Sequence, residues 1–171
     1  MNIDLTSTYD SFINEIEKLN LASKDSQETK NSDINIKPRL RMASCYYMAA
    51  LLSATRGGTY LVAGTSNGSE LYVGYFTKGG DSVHDISVLA NFTVEEVIKI
   101  GEELNVPDAV IHKTPSDGLS GLSDEDKMGV KYKDIDSIIR GKEVSSEEKE
   151  KIEKKHASVS HKFSIPTYKP Y

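Results

Sequence analysis

The residues best suited to chemistry lie between Leu61 and Asp85. A short apolar run, Thr59-Tyr-Leu-Val-Ala63, leads into Gly64-Thr-Ser-Asn-Gly-Ser-Glu70. In open α/β sheets, ligands bind outside the carboxyl ends of the strands. A glycine- and hydroxyl-rich loop ending in a carboxylate is what a phosphate with Mg2+ needs there. The same residues also suit an ordinary strand-to-helix turn, with Glu70 where the helix dipole favours an acid, and composition alone leans that way. Gly74-Tyr-Phe-Thr-Lys-Gly-Gly-Asp81 follows, with Asp85 close behind. Adjacent glycines beside Lys78 and two acids do not suit a core. Gly79 and Gly80 allow backbone shapes closed to other residues, in a ligand loop or an exposed turn alike. Arg39 and Arg41 would point about 200° apart on a helix. One can take a ligand anion while the other pairs with a carboxylate, or both are solvated. His161-Lys-Phe163 follows a charged helix and reads first as polar surface. There is no Cys/His cluster at zinc spacing, no Gly-x-Ser-x-Gly elbow and no Gly-x-Gly-x-x-Gly fingerprint.

Elements must hold these loops. Residues 1–5 read as the end of a strand, and Thr6-Ser7-Thr8 can cap a helix with Tyr9, Phe12, Ile13 and Ile16 on its apolar face. The polar stretch within residues 20–36 reads as a mobile loop. Pro38 fits the first turn of a helix to residue 54, rich in Ala43, Ser44, Ala49, Ala50, Ser53 and Ala54. Gly57-Gly58 ends it, and Cys45 within it reads as a small buried residue. Thr59–Ala63 fits a buried parallel strand. Thr93 and Glu96 make a capping box before Val97, Ile98, Ile100 and Leu104, and Pro107 stops that helix. A helix over 132–140 turns Ile135, Ile138 and Ile139 inward and ends at Gly141. Ser145 and Glu148 repeat the capping box, and Glu147–Lys151 and Glu150–Lys154 have the spacing of a solvated helix. A doubly wound fold needs several buried parallel strands, and one strand and a stub are legible. Either part of the domain lies outside this chain or a partner covers the gap.

With 171 residues, the length suits one domain, 1–171. A net charge of -5 gives no electrostatic reason for nucleic-acid or anionic-membrane binding. The single cysteine excludes an internal disulfide and suits a cytoplasmic protein. Residues 1–20 do not read as a signal peptide, and no apolar run has the length of a membrane span.

Taken in order, the motifs resemble those of the ammonia-dependent NAD+ synthetases. Lys37-Pro-Arg-Leu-Arg-Met42, Gly64–Glu70 and Gly74–Asp81 come first. Thr114-Pro-Ser-Asp-Gly-Leu119, Ser123-Asp-Glu-Asp126, Gly129-Val-Lys-Tyr132 and His161-Lys-Phe163 continue the match. Each is weak alone; their order is specific, and the fit is weakest over 20–35.

The resemblance implies an α/β fold: an incomplete Rossmann-like, adenine-nucleotide α-hydrolase type with few parallel strands and flanking helices. It implies ATP-dependent amidation of deamido-NAD+ with ammonia through an adenylated intermediate, with ATP and Mg2+ required and NAD+ as product. Arg39, Lys78, Asp85, His161 and Lys162 would hold deamido-NAD+. Thr65 and Ser116 would contact ATP, and Glu70 would ligate Mg2+. No catalytic residue is singled out. The family is homodimeric, and the helix over 38–54 is the candidate for close packing between subunits.

Three departures stand out. The family's Ser-Gly-Gly-x-Asp-Ser loop, which wraps the pyrophosphate, is absent from these residues and is expected upstream, from a longer product or a fragment in trans. Phe92-Thr93-Val94 stands where Leu-Thr-Lys is usual, so a phosphate-binding lysine is replaced by Val94. Gly-Asp-Gly-Gly-x-Asp appears as Gly80-Asp-Ser-Val-His-Asp85. The alternatives are a non-catalytic dinucleotide-binding or dimerising module and, more weakly, another adenylating ligase of the superfamily.

Overall fold

The computed structural model describes residues 2–23, 26–116, 121–164 and 167–168, with the backbone alone for Asn31. The chain divides into two compact units: Met1–Gly64 with Thr77–Ile86, and Thr65–Phe76 with Ser87–Tyr171.

In the first unit, helix α1 spans Thr6–Glu17 and helix α2 spans Gln27–Arg56. Residues 2–5 form no strand. The Asp4 carboxylate instead accepts from the Thr6 amide at 2.9 Å and the Thr6 hydroxyl at 2.6 Å, turning the chain into α1. On the expected apolar face of α1, Tyr9 and Ile13 are half-buried, while Phe12 and Ile16 are exposed.

Helix α2 corrects the expected loop over 20–36: it begins at Gln27. Polarity marks solvent exposure, not absence of helix, and Gln, Glu and Lys are good helix formers. Ser26 supplies the N-cap, accepting from the Thr29 amide at 3.2 Å. Pro38 therefore lies inside the helix and not in its first turn. An interior proline costs about 3 kcal/mol. Here its ring packs on Gly80, where an added Cβ would sit 2.9 Å from Pro38 Cβ. Gly57, at φ 74°, ends α2 as the glycine pair predicts. Cys45 is exposed, not buried, because it falls on an outward position of α2.

The strand expected over Thr59–Ala63 is reduced to Ala63–Gly64 (β1), paired in parallel with Ile86–Ser87 (β2). The Asp85 and Ile86 amides donate to the Val62 carbonyl at 2.8 and 3.3 Å. Tyr60 and Leu61 are exposed, because among the described residues no further strand covers them.

In the second unit, the helices are α3 (Gly68–Tyr72), α4 (Val94–Glu103), α5 (Asp108–Ile111), α6 (Asp124–Met128), α7 (Tyr132–Ile139) and α8 (Ser146–Ser158), followed by a 3-10 turn at Ser160–Lys162. The core is Val73, Met128, Val130, Tyr132, Ile135 and Ile152, with Tyr72, Tyr75, Val94, Ile138 and Ile139 packed against it. Ile135 and Ile152 are fully buried, each contributing about 1.5–3 kcal/mol of transfer free energy. Helix α7 is central, packing on α3, α4 and α8.

Start signals are well kept. Thr93 and Glu96 form the expected capping box of α4, while at α8 only the Ser145 half of the expected box forms, Ser145 accepting from the Glu148 amide at 3.3 Å. Lys151 pairs with Glu147 at 2.8 Å, one turn earlier. Gly141 follows α7 at φ 68°. The α4 helix stops at Glu103, ahead of Pro107, and Leu104 is exposed. Mostly helical with a small parallel sheet, the chain has a partial α/β fold. No described helix is long and apolar enough to cross a membrane.

Candidate functional site

In the first unit, α2 carries Asn35, Arg39 and Tyr46 along one side, at spacings that return to the same helical face. All three grip the segment Thr77–Asp85. The Thr77 hydroxyl donates to Asn35 Oδ1 at 2.9 Å. The Arg39 guanidinium donates to the Lys78 carbonyl through Nε at 3.3 Å and Nη2 at 3.2 Å. The Tyr46 hydroxyl donates to Asp85 Oδ1 at 3.1 Å, and the Val62 amide to Oδ2 at 2.8 Å. Partial desolvation and the Asp85 carboxylate raise the Tyr46 pKa above its usual value, so it remains a donor at neutral pH. Arg39, Lys78 and Asp85 thus share one helix-and-loop pairing, and all three are exposed. Arg41 is also exposed.

Within the loop, Gly79 has φ 73°, a conformation open chiefly to glycine. Ser82 and Val83 stand where the resembled family has glycines, and His84 follows them. Its Nδ1 lies 3.2 Å from the Asp81 carbonyl, and its ring covers Gly64 so closely that a Cβ there would collide with it.

In the second unit, Thr65 is exposed and precedes a polar turn into α3. Asn67 is the N-cap; its Oδ1 accepts from the Ser69 and Glu70 amides, each at 3.0 Å. Glu70 Oε2 accepts from the Asn67 amide at 2.9 Å, completing a capping box. Glu70 is half-buried in the first turn of α3. Among the described residues, no group of three or more His, Cys, Asp or Glu is placed to hold a metal.

Ser116 is exposed beside a cavity of about 260 Å3, which Thr114, Gly121, Leu122 and Ser123 also line. The rest of its motif, residues 117–119, lies outside the described residues. His161 is exposed, with Nδ1 3.2 Å from the Ser158 carbonyl. Lys162 is half-buried. Its Nζ donates to the carbonyls of Gly74 at 2.6 Å and Phe76 at 2.8 Å, and lies 5.1 Å from the Phe76 ring centre. Phe163 meets that ring edge-on.

Two groups of residues escaped the sequence reading. Tyr46 was legible only as a position seven beyond Arg39, and its partner could not be inferred. The second group is buried. Ser69 and Asp136 are 0% and 5% exposed, and the Ser69 hydroxyl donates to Asp136 Oδ1 at 2.5 Å. Asp124 accepts from the hydroxyls of Tyr75 at 2.9 Å and Tyr132 at 3.4 Å. Burial, with the nearby Glu70 and Asp124 charges, pushes the Tyr132 pKa well up, so it stays protonated. The sequence signal for Asp136 was an acid directly after Ile135, on the inward side of α7.

The described residues are those of a partial Rossmann-like α/β protein in which polar loops follow the short parallel strands in the chain. The family model described as NAD synthase matches residues 1–167, and the chain belongs to that family. The NH(3)-dependent NAD(+) synthetase of Alkaliphilus metalliredigens is 42% identical over 155 residues, 90% of this chain and 60% of that protein. The enzyme of the same name from Mycoplasmopsis pulmonis is 39% identical over 166 residues, 96% of this chain and 59% of that one. Among solved structures, an NMN synthetase from Francisella tularensis overlays with TM-score 0.86 at 32% identity, covering 100% of this chain and 66% of the other. An NAD+ synthetase from Burkholderia pseudomallei overlays with TM-score 0.70 at 25% identity, covering 96% and 60%. The chain therefore spans about 60% of the length of the curated relatives it matches.

Proposed function

We propose that this chain acts in the ATP-dependent amidation of deamido-NAD+ with ammonia. The observation that carries the reading is the joint placement of Arg39, Lys78 and Asp85 on α2 and the loop it grips. That pairing supports a site for an anionic, hydroxyl-rich substrate. The nicotinate carboxylate attacks the α-phosphorus of ATP, and pyrophosphate leaves. Ammonia then attacks the acyl adenylate carbonyl, AMP departs, and a proton is lost to give the amide.

Arg39 and Lys78 supply positive charge for the substrate, and Asp85 accepts from its donors. His161 and Lys162 are further proposed contacts for deamido-NAD+, and Thr65 and Ser116 are proposed contacts for ATP. Glu70 offers one carboxylate. Mg2+ is commonly held by one or two carboxylates together with waters and nucleotide phosphates, so this donor fits an ion that arrives with ATP. When bound, that ion neutralises developing phosphate charge. The reading includes a cytoplasmic homodimer, which light scattering at micromolar concentration tests. The non-catalytic alternative draws no support from the relatives, which are named as synthetases.

The test is NAD+ formation from deamido-NAD+, ATP, Mg2+ and ammonia, by the chain alone and with an N-terminal segment carrying Ser-Gly-Gly-x-Asp-Ser. Product in either arm supports the reading, and none in both sinks it. One observation favours a second substrate. The NMN synthetase overlays at TM-score 0.86, against 0.70 for the Burkholderia NAD+ synthetase. Nicotinate mononucleotide run in parallel decides between them by the ratio of kcat/KM values.

A further inference from the structure

Helix α7 holds the first turns of two other helices with two residues one turn apart. Asp136 Oδ1 accepts from the Ser69 hydroxyl in α3, and Oδ2 accepts from the Glu95 amide in α4 at 3.0 Å. The Ser69 oxygen in turn accepts from the Val94 amide at 3.1 Å. One turn on, Arg140 Nε and Nη2 donate to the two oxygens of Glu96, at 2.8 and 2.5 Å. Nη2 also reaches the Asn91 carbonyl at 3.0 Å. Chain approach at the same joint is tight: Gly68 donates to the Phe92 carbonyl at 2.7 Å, and a Cβ on Gly68 would lie 2.9 Å from the Ala90 carbonyl.

This bracket has a direct consequence for Glu70. Ser69 and Glu70 are neighbours in the first turn of α3, set about 100° apart around its axis. Fixing Ser69 from the buried side fixes the azimuth of Glu70, the next residue in the turn. The capping box sets only its local rotamer against Asn67. We propose that Asp136, acting through Ser69, is the positioning residue that orients Glu70 toward nucleotide-bound metal. The inference rests on the reading of Glu70 under the proposed function. The side chain is needed as a two-point hydrogen-bonding group, not as a charge: in Asp136→Asn the amide oxygen can still accept from the Glu95 amide while its nitrogen donates to the Ser69 oxygen.

The test uses Mn2+ titration by electron paramagnetic resonance in the presence of ATP. The full chain is measured together with the segment carrying Ser-Gly-Gly-x-Asp-Ser. Deamido-NAD+ affinity is measured by calorimetry on the same samples. Ser69→Ala and Asp136→Ala are expected to weaken Mn2+ binding by roughly ten-fold or more, the effect usual for partners that orient a metal ligand. Deamido-NAD+ affinity is expected to hold, and Asp136→Asn to restore Mn2+ binding. If Asp136→Ala does not fold, Ser69→Ala carries the test, since it removes one hydroxyl. Unchanged Mn2+ affinity in a folded Ser69→Ala overturns the positioning role while leaving the proposed function intact. Equal losses for Mn2+ and deamido-NAD+ overturn it too, because they mark a general structural role. If Glu70→Gln leaves Mn2+ binding unchanged, or the unsubstituted protein binds none, the metal role of Glu70 fails and this inference with it.

Discussion

Replacing Lys162 with methionine separates a clip from a ligand contact. In the structure, Nζ makes two short bonds to the carbonyls of Gly74 and Phe76 and lies over the Phe76 ring. Hydrogen bonds to a charged group contribute about 1.5–3 kcal/mol each, and a cation over an aromatic ring about 0.5–1 kcal/mol. The terms are not additive, and the group is only half-buried, so the lower ends apply: a loss of about 2–3 kcal/mol. Methionine keeps the apolar stem, so the loss reads the ammonium and not the packing. Urea denaturation of the full chain measures it through a lower midpoint at unchanged slope. Lys162→Arg is a partial control, because a planar guanidinium fits two converging carbonyls less well than an ammonium. A loss below about 0.5 kcal/mol, the scale of ordinary surface substitutions, refutes the clip. In that case a large fall in deamido-NAD+ affinity assigns Lys162 to the ligand instead.

Four further outcomes follow from the same geometry. Gly80→Ala places a Cβ 2.9 Å from Pro38 Cβ and 3.2 Å from its carbonyl carbon, and should cost about 1–3 kcal/mol by thermal denaturation while loosening the loop that bears Lys78. Gly64→Ala should be strongly destabilising because of His84, and His84→Ala in the same chain should recover much of the loss, as a double-mutant cycle would show. Ile135→Ala, at 0% exposure, should cost about 2–5 kcal/mol. The Arg140 guanidinium lowers the Glu96 pKa from 4.5 to about 2. A carboxylate with a depressed folded pKa stabilises above its unfolded pKa and loses that contribution as pH falls. Between pH 4.5 and 2 the melting temperature of the native chain should therefore fall more steeply than that of Arg140→Met.

What the sequence made legible follows from where each signal acts. Capping residues act within three positions, so Thr93–Glu96 and the Gly57 and Gly141 stops needed no tertiary knowledge. The inward isoleucines of α7 followed from helical period. The helix expected over 38–54 lies within α2, but the stretch before Pro38 was not legible, because residues 27–36 carry no apolar stripe and Pro38 argues for a start. Their partners come from far along the chain, as Asn35 does in Thr77 and Pro38 in Gly80. The strand at Thr59–Ala63 is shorter than its apolar residues suggest for the opposite reason: they point to burial, and burial needs a neighbour. Of the candidate site, the loops and their residue types were visible. The ties that aim them were not, since a Tyr46–Asp85 or Ser69–Asp136 pair joins residues with no fixed spacing.

Those ties explain how so small a sheet can support ordered loops. Each strand contributes only two residues, so backbone pairing cannot hold the segments that follow it. Polar side chains on helices do that work: Asn35, Arg39 and Tyr46 for the loop at Thr77–Asp85, and Asp136 for the turn at Ser69. The two sets differ in exposure, and the difference has consequences. Asp136 and Ser69 are buried, where an unpaired group costs about 1–3 kcal/mol, so loss of either member should act almost all-or-none on local order. The Arg39 and Tyr46 bonds of the α2 grip are exposed, where single bonds contribute less and water can replace them. The turn bearing Glu70 is therefore the rigid element, and the loop bearing Lys78 is the one free to adjust to its ligand. Hydrogen exchange should show it, with Ser69 and Glu70 amides protected far longer than those of Lys78 and Gly79.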